Sequence, residues 1–276
     1  MTIALPRPLH APLNIRWEPL PDDFVLPDDP VESTLQPLLA AALREALELA
    51  DRIPAHCLIA SNFGLCAVVD GKTIVKAPDW VYVPRVQSVA VGTVRRSYTP
   101  NLEGEKPAIV MEFISATEGG EYSIKPSYPY GKWFFYEQIL QVPIYVIFEP
   151  DICYLEVYQL QEGQYKALQP DTDGRYWLGE IGLFLGVWQG QKAEVTAPWL
   201  RWWDESGRLL LWGSERIAEE RLRAEQAEGE ALQERLRAEQ AKGEALQERL
   251  RAERSEAQLQ ALQERLRSLG VDLGPD

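Results

Sequence analysis

Ala108-Ile109-Val110-Met111-Glu112-Phe113-Ile114 reads as a strand covered on both faces, because its apolar residues are consecutive rather than alternate. Strands of that kind lie at the centre of an α/β sheet. A second such run, Ile144-Tyr145-Val146-Ile147-Phe148, follows Pro143. Between the two runs lie a loop rich in Gly, Tyr and Pro (115–131) and the stretch Lys132-Trp133-Phe134-Phe135-Tyr136-Glu137-Gln138-Ile139-Leu140, which is predicted to be a helix ended by Pro143. The fold class that follows is α/β, a mixed sheet flanked by helices.

Further elements surround this centre. From Glu32 to Asp51 the residues Leu35, Leu38, Leu39, Ala42, Leu43 and Ala46 recur at helical spacing, so one face of a helix is buried. Leu65-Cys66-Ala67-Val68-Val69, the pair Asp70-Gly71 and Thr73-Ile74-Val75 form a β-hairpin signal, since Asp-Gly tolerates the positive φ angles of a tight turn. Trp80-Val81-Tyr82-Val83 is a strand opened by Pro78-Asp79. Leu155 to Tyr158 and Tyr165 to Leu168 read as an exposed-edged hairpin. Trp177, Trp188, Trp199, Trp202, Trp203 and Trp212 crowd the end of the domain and are expected to close its core.

The ends differ in character. Residues 1–30, rich in Pro and Asp, read as an extended arm, and the α/β domain then occupies 31–214. Residues 221–234 (RLRAEQAEGEALQE) are repeated as 235–248 with Glu228 replaced by Lys242. A repeat of two heptads is a helix signature, so 215–268 is predicted to be a continuous helix about 80 Å long, with 269–276 as a tail. Leu222, Leu232, Leu236, Leu246 and Leu250 form one thin seam along it, and a neighbouring seam is alanine. Either could join two chains as a coiled-coil homodimer. A solvated single helix held by Glu–Arg pairs is the alternative.

Composition removes several function classes. Nowhere do eighteen uncharged apolar residues run together, and the first twenty residues carry prolines and charges, so membrane spanning and secretion are not expected. Cys57, Cys66 and Cys153 sit beside apolar residues as buried free thiols would, which points to a reducing, cytoplasmic location. The net charge of −14 argues against a broad basic surface for nucleic acid. Fifteen acidic and eleven basic side chains in 215–276 account for four of those charges. Acidity does not argue against an enzyme that meets phosphates through divalent cations, which needs carboxylates. With two histidines in the chain, any chemistry falls to carboxylates, lysines or hydroxyls.

Glu112 is the anomaly in its strand, where an unpaired carboxylate would cost several kcal/mol. It needs a cation or a lysine. Asp79, after Pro78 and at the start of a strand, is the other conspicuous acid; on its own it would read as a Pro-Asp turn residue. Two acids on adjacent strand ends can share Mg²⁺ through oxygen ligands.

The stretches Lys76 to Val83, Val110 to Ser115, Gly131 to Tyr136 and Pro143 to Phe148 together resemble the Uma-type restriction-endonuclease family abundant in cyanobacteria, within the PD-(D/E)xK nuclease superfamily. The similarity spans roughly residues 31–214. It implies a restriction-endonuclease-like fold and a Mg²⁺- or Mn²⁺-dependent phosphodiesterase acting on DNA. Asp79 and Glu112 would be metal ligands, with the backbone carbonyl of Phe113 as a third and Glu32 as a further one. The lysine that the motif places two residues after the acid is here Ile114. The resemblance therefore nominates Lys132 from the next helix, and Lys125 second, to orient or deprotonate the attacking water.

Two functions follow, an endonuclease and a catalytically silent descendant that acts as a binding or scaffolding module through its C-terminal helix. The missing same-strand lysine and the acidic surface favour the silent module. Asp79 and Glu112 favour the enzyme.

Overall fold

A computed structural model describes residues 13–19, 33–90, 92–114 and 122–268. It divides into two compact units, which meet at Gly213 and Ser214. Glu32, most of the arm and the tail 269–276 lie outside the described residues.

The first unit is layered around a six-stranded sheet. Its strands are β2 (Leu58–Ala60), β5 (Trp80–Val83), β7 (Ile109–Phe113), β8 (Ile144–Glu149), β9 (Tyr154–Gln161) and β10 (Gln164–Ala167), in that spatial order. The two predominantly apolar runs, β7 and β8, are central and parallel, and every other pair is antiparallel. All five residues of β7 are buried. The mixed sheet predicted from the sequence is thus present, because only strands covered on both faces can be apolar at every position.

Each face has its own cover. On one, helix α1 (Leu35–Leu49) lays Leu39, Leu43 and Leu47 against Ile109, Met111 and Phe113. The same face carries a three-stranded sheet of β11 (Tyr176–Leu178), β12 (Leu183–Lys192) and β13 (Val195–Trp203). Trp202 and Trp212 donate their indole N–H groups to the carbonyls of Leu43 (3.2 Å) and Ala42 (3.1 Å), which fastens this sheet to α1. On the other face lie the hairpin of β3 (Gly64–Val69) and β4 (Lys72–Lys76) and the segment α2 (Lys132–Phe134). The hairpin turns at Asp70 (φ 50°) and Gly71 (φ 77°), the positive pair its sequence called for. Short strands β1 (Ile15–Arg16) and β6 (Ser97–Tyr98) both pair with β3, so the N-terminal arm contributes a sheet edge.

Three expectations are corrected. The helix after Gly131 is α-helical for three residues only and continues as a π-helix, Phe135–Leu140. Of the tryptophans expected to close the core, Trp199, Trp202, Trp203 and Trp212 are buried as expected, but Trp177 is 42% exposed. Of the cysteines only Cys66 is buried, where burial pushes its thiol up to about 11; Cys57 is half-buried and Cys153 exposed.

The second unit is the helix α3 (Gly213–Ser268), which has no buried residue. Exposed ion pairs four residues apart, such as Arg223–Glu219 (2.8 Å) and Arg249–Glu253 (3.0 Å), line it. No helix among the described residues is long and apolar enough to cross a membrane. The core described above involves residues up to Trp212, so a chain ending at Gly213 is expected to retain a single cooperative thermal transition. Calorimetry checks this, and a broad or absent transition would show that the first unit depends on α3.

Candidate active site

Asp79 and Glu112 are placed side by side by strand register. Trp80 lies opposite Met111 in the antiparallel β5–β7 ladder, which brings the preceding Asp79 to the row of Glu112. The side chains of Asp79 and Glu112 share the parity of Val81 and Val110, and those two belong to the cluster under α2. Both acids therefore open toward that helix. The β5–β7 pairing ends at Met111, and Asp79 takes over beyond it: its Oδ2 accepts the N–H of Phe113 at 2.5 Å.

Glu112 is 1% exposed. Its two oxygens are held separately, Oε2 by the ammonium of Lys132 at 3.2 Å and Oε1 by the hydroxyl of Tyr136 at 2.9 Å. Lys132 and Tyr136 are four residues apart on one helix face, which is why both reach one carboxylate. Three ring contacts fix that helix, since Trp133 meets Tyr145, Tyr158 and Tyr165 edge-on with centroids 5.6, 4.7 and 5.4 Å away. Gly131 fixes its start. A Cβ there would lie 1.9 Å from the carbonyl oxygen of Ser123, so only glycine lets the preceding loop close on the helix.

Tyr136 remains a phenol. Burial first, then the charge of Glu112, the neighbouring Tyr145 and more weakly Asp79, push it well above its ordinary ionisation range. It donates and does not act as a base.

The Phe113 peptide is gripped from both sides. Its N–H goes to Asp79, and its carbonyl accepts from the side-chain amide of Gln36, a 4% exposed residue of α1. Gln36 in turn accepts the N–H of Ser33 at 2.9 Å. A carbonyl oxygen carries two lone pairs, and Gln36 engages one of those on Phe113.

Of the residues singled out from sequence, Asp79, Glu112, Lys132 and the Phe113 peptide come together. Lys125 is exposed, and its carbonyl accepts the N–H of Gly131 at 3.1 Å. Sequence reasoning passed over Tyr136 and Gln36. Each left a signal: Tyr136 follows Lys132 at helical spacing, and Gln36 is a polar residue on the stripe of Leu39, Ala40 and Leu43.

The donor set suits a hard cation, being two carboxylates and a carbonyl. Among the described residues no three His, Cys, Asp or Glu side chains converge as a cage. Water would fill the other positions, as is usual for Mg²⁺.

A family model described as "Putative restriction endonuclease", named Uma2, matches residues 12–192. No curated protein matches the chain.

Proposed function

The chain belongs to the Uma2 family of putative restriction endonucleases, and from that premise we propose that it hydrolyses DNA phosphodiester bonds with Mg²⁺ or Mn²⁺ at Asp79 and Glu112. The observation that carries this reading is a buried carboxylate, Glu112, with an ammonium at 3.2 Å and a second carboxylate beside it. A divalent cation, when bound, offsets phosphate charge and lowers the pKa of water. Asp79, Glu112 and the Phe113 carbonyl would hold it. Lys132 orients the attacking water and counters the charge that develops on the phosphoryl oxygens. Its side chain, 22% exposed, keeps contact with solvent from which that water comes.

Isothermal titration with Mg²⁺ and Mn²⁺ tests the site before any substrate is known. Binding is expected to the parent and to be lost in Asp79→Ala and Glu112→Gln, with Lys125→Ala unaffected. A Glu112→Gln chain that binds Mn²⁺ as the parent does would place the metal elsewhere.

One observation favours the silent module. Both oxygens of Glu112 and one of Asp79 already have protein partners, so the carboxylates are satisfied without a cation. Absence of metal binding by the parent chain would decide for it.

A further inference from the structure

Helix α3 displays Leu222, Leu232, Leu236 and Leu246 at 52–59% exposure, with none of its residues buried. The positions between them on the same seam are Glu225, Gly229, Glu239 and Gly243. A β-carbon on Gly229 or Gly243 would meet nothing, so the isolated helix gains no packing from these glycines. Glycine is also the poorest helix former after proline. Yet it recurs at the same place in both copies of the repeat.

A second copy of the chain running antiparallel accounts for all eight residues. With Leu222 set opposite Leu246 of the partner subunit, Leu232 falls opposite Leu236 of the partner subunit. In the same register Glu225 faces Gly243 of the partner subunit, and Gly229 faces Glu239 of the partner subunit. Each leucine meets a leucine, and each glutamate meets the residue that leaves it room. A parallel in-register pair instead stacks Glu225 and Glu239 each against its own equivalent, while Glu253 meets a glutamate either way, its own equivalent there and Glu215 of the partner subunit here.

Charge selects among antiparallel registers. Sliding by one repeat, fourteen residues, also pairs leucines, Leu232 with Leu250 and Leu236 with Leu246. That register brings Lys242 against its own equivalent and Glu228 near Glu256. The first register brings Glu228 beside Lys242 twice, across the two-fold axis, and sets Arg221 beside Arg249 of the partner subunit and Arg235 beside its own equivalent; the slid register has no unlike pair on this flank. Glu228 and Lys242 mark the single difference between the repeats. Were both glutamate, this contact would be repulsive.

We infer that α3 is the interface of an antiparallel homodimer in which the first repeat of one chain lies along the second repeat of its partner, fixed in register by Glu228 and Lys242. The inference is independent of the chemistry in the first unit, and sedimentation equilibrium of the full chain tests it without metal or nucleic acid. Glu228→Lys and Lys242→Glu alone each turn two attractive contacts into repulsive ones and should raise the dimer dissociation constant about tenfold. The combined exchange, Glu228→Lys with Lys242→Glu, makes the contacts attractive again and should return the constant to within about threefold of the parent. In one helix the two positions are fourteen residues apart and do not meet, so rescue identifies the intermolecular pair. A monomeric parent, or a double exchange no tighter than the single ones, overturns the inference.

Discussion

Lys132→Met is expected to lower the stability of the first unit by about 2–3 kcal/mol, or on the order of 5–10 °C in melting temperature. The reason is what remains behind. Glu112 is 1% exposed and keeps only the Tyr136 hydroxyl among the two partners on its oxygens described above, so its charge stays buried without the ammonium at 3.2 Å. Breaking a wholly buried pair costs more, about 3–5 kcal/mol. The figure is reduced here because the lysine side chain is 22% exposed and water can replace part of it. Glu112→Gln should be milder, as the amide oxygen still accepts from Tyr136. Combining it with Lys132→Met should recover much of the loss, since no charge is then stranded. Urea unfolding of the parent, both single variants and the double variant measures the coupling. Additive losses would mean that the two side chains do not sense each other.

Trp212→Ala should cost more, about 4–5 kcal/mol. Its ring is 1% exposed, and its indole N–H donates to the Ala42 carbonyl at 3.1 Å. Its face lies 3.4 Å from the guanidinium of Arg201, itself 1% exposed and 5.1 Å from the Trp188 ring. Truncation leaves a cavity and removes the π-face that solvates a buried cation. Trp212→Phe keeps a ring and loses the hydrogen bond, for about 1 kcal/mol. Thermal unfolding of the two variants separates these contributions. If alanine costs no more than phenylalanine, Arg201 owes its place to something other than the ring.

The centre of the fold was legible because its physics is simple. A strand buried on both faces is apolar at nearly every position, and β7 and β8 announce themselves in that way. β11–β13 did not, since their burial is achieved by rings that lie across the sheet rather than by alternation. Gly190 shows why: a Cβ there would sit 1.8 Å from the Trp188 ring, so a residue that reads as a strand breaker is what lets the indole fold over. Glu112 was legible from the cost of burying a charge, Asp79 from its place after Pro78 at the start of a strand, and Lys132 through the family resemblance. Gln36 was not, because a carboxamide that holds a backbone carbonyl has no charge to betray it. The widening of α2 into a π-helix leaves no mark in a run of aromatics.

Asp79 stands apart from its two neighbours in what would preserve it over evolutionary time. Its bond to the Phe113 N–H finishes the β5–β7 ladder whether or not anything is ever cut. An asparagine oxygen could accept the same proton, so a lineage that had lost catalysis would tolerate Asn at 79 while still needing an acceptor there. Glu112 also accepts the Tyr136 hydroxyl, a duty that a neutral glutamine oxygen could take over, whereas its charge answers to Lys132. The two charges are worth keeping only together, and drift would remove them as a pair. Among descendants of this chain an acid at 79 is weak testimony to activity, and the joint fate of positions 112 and 132 is the more telling record.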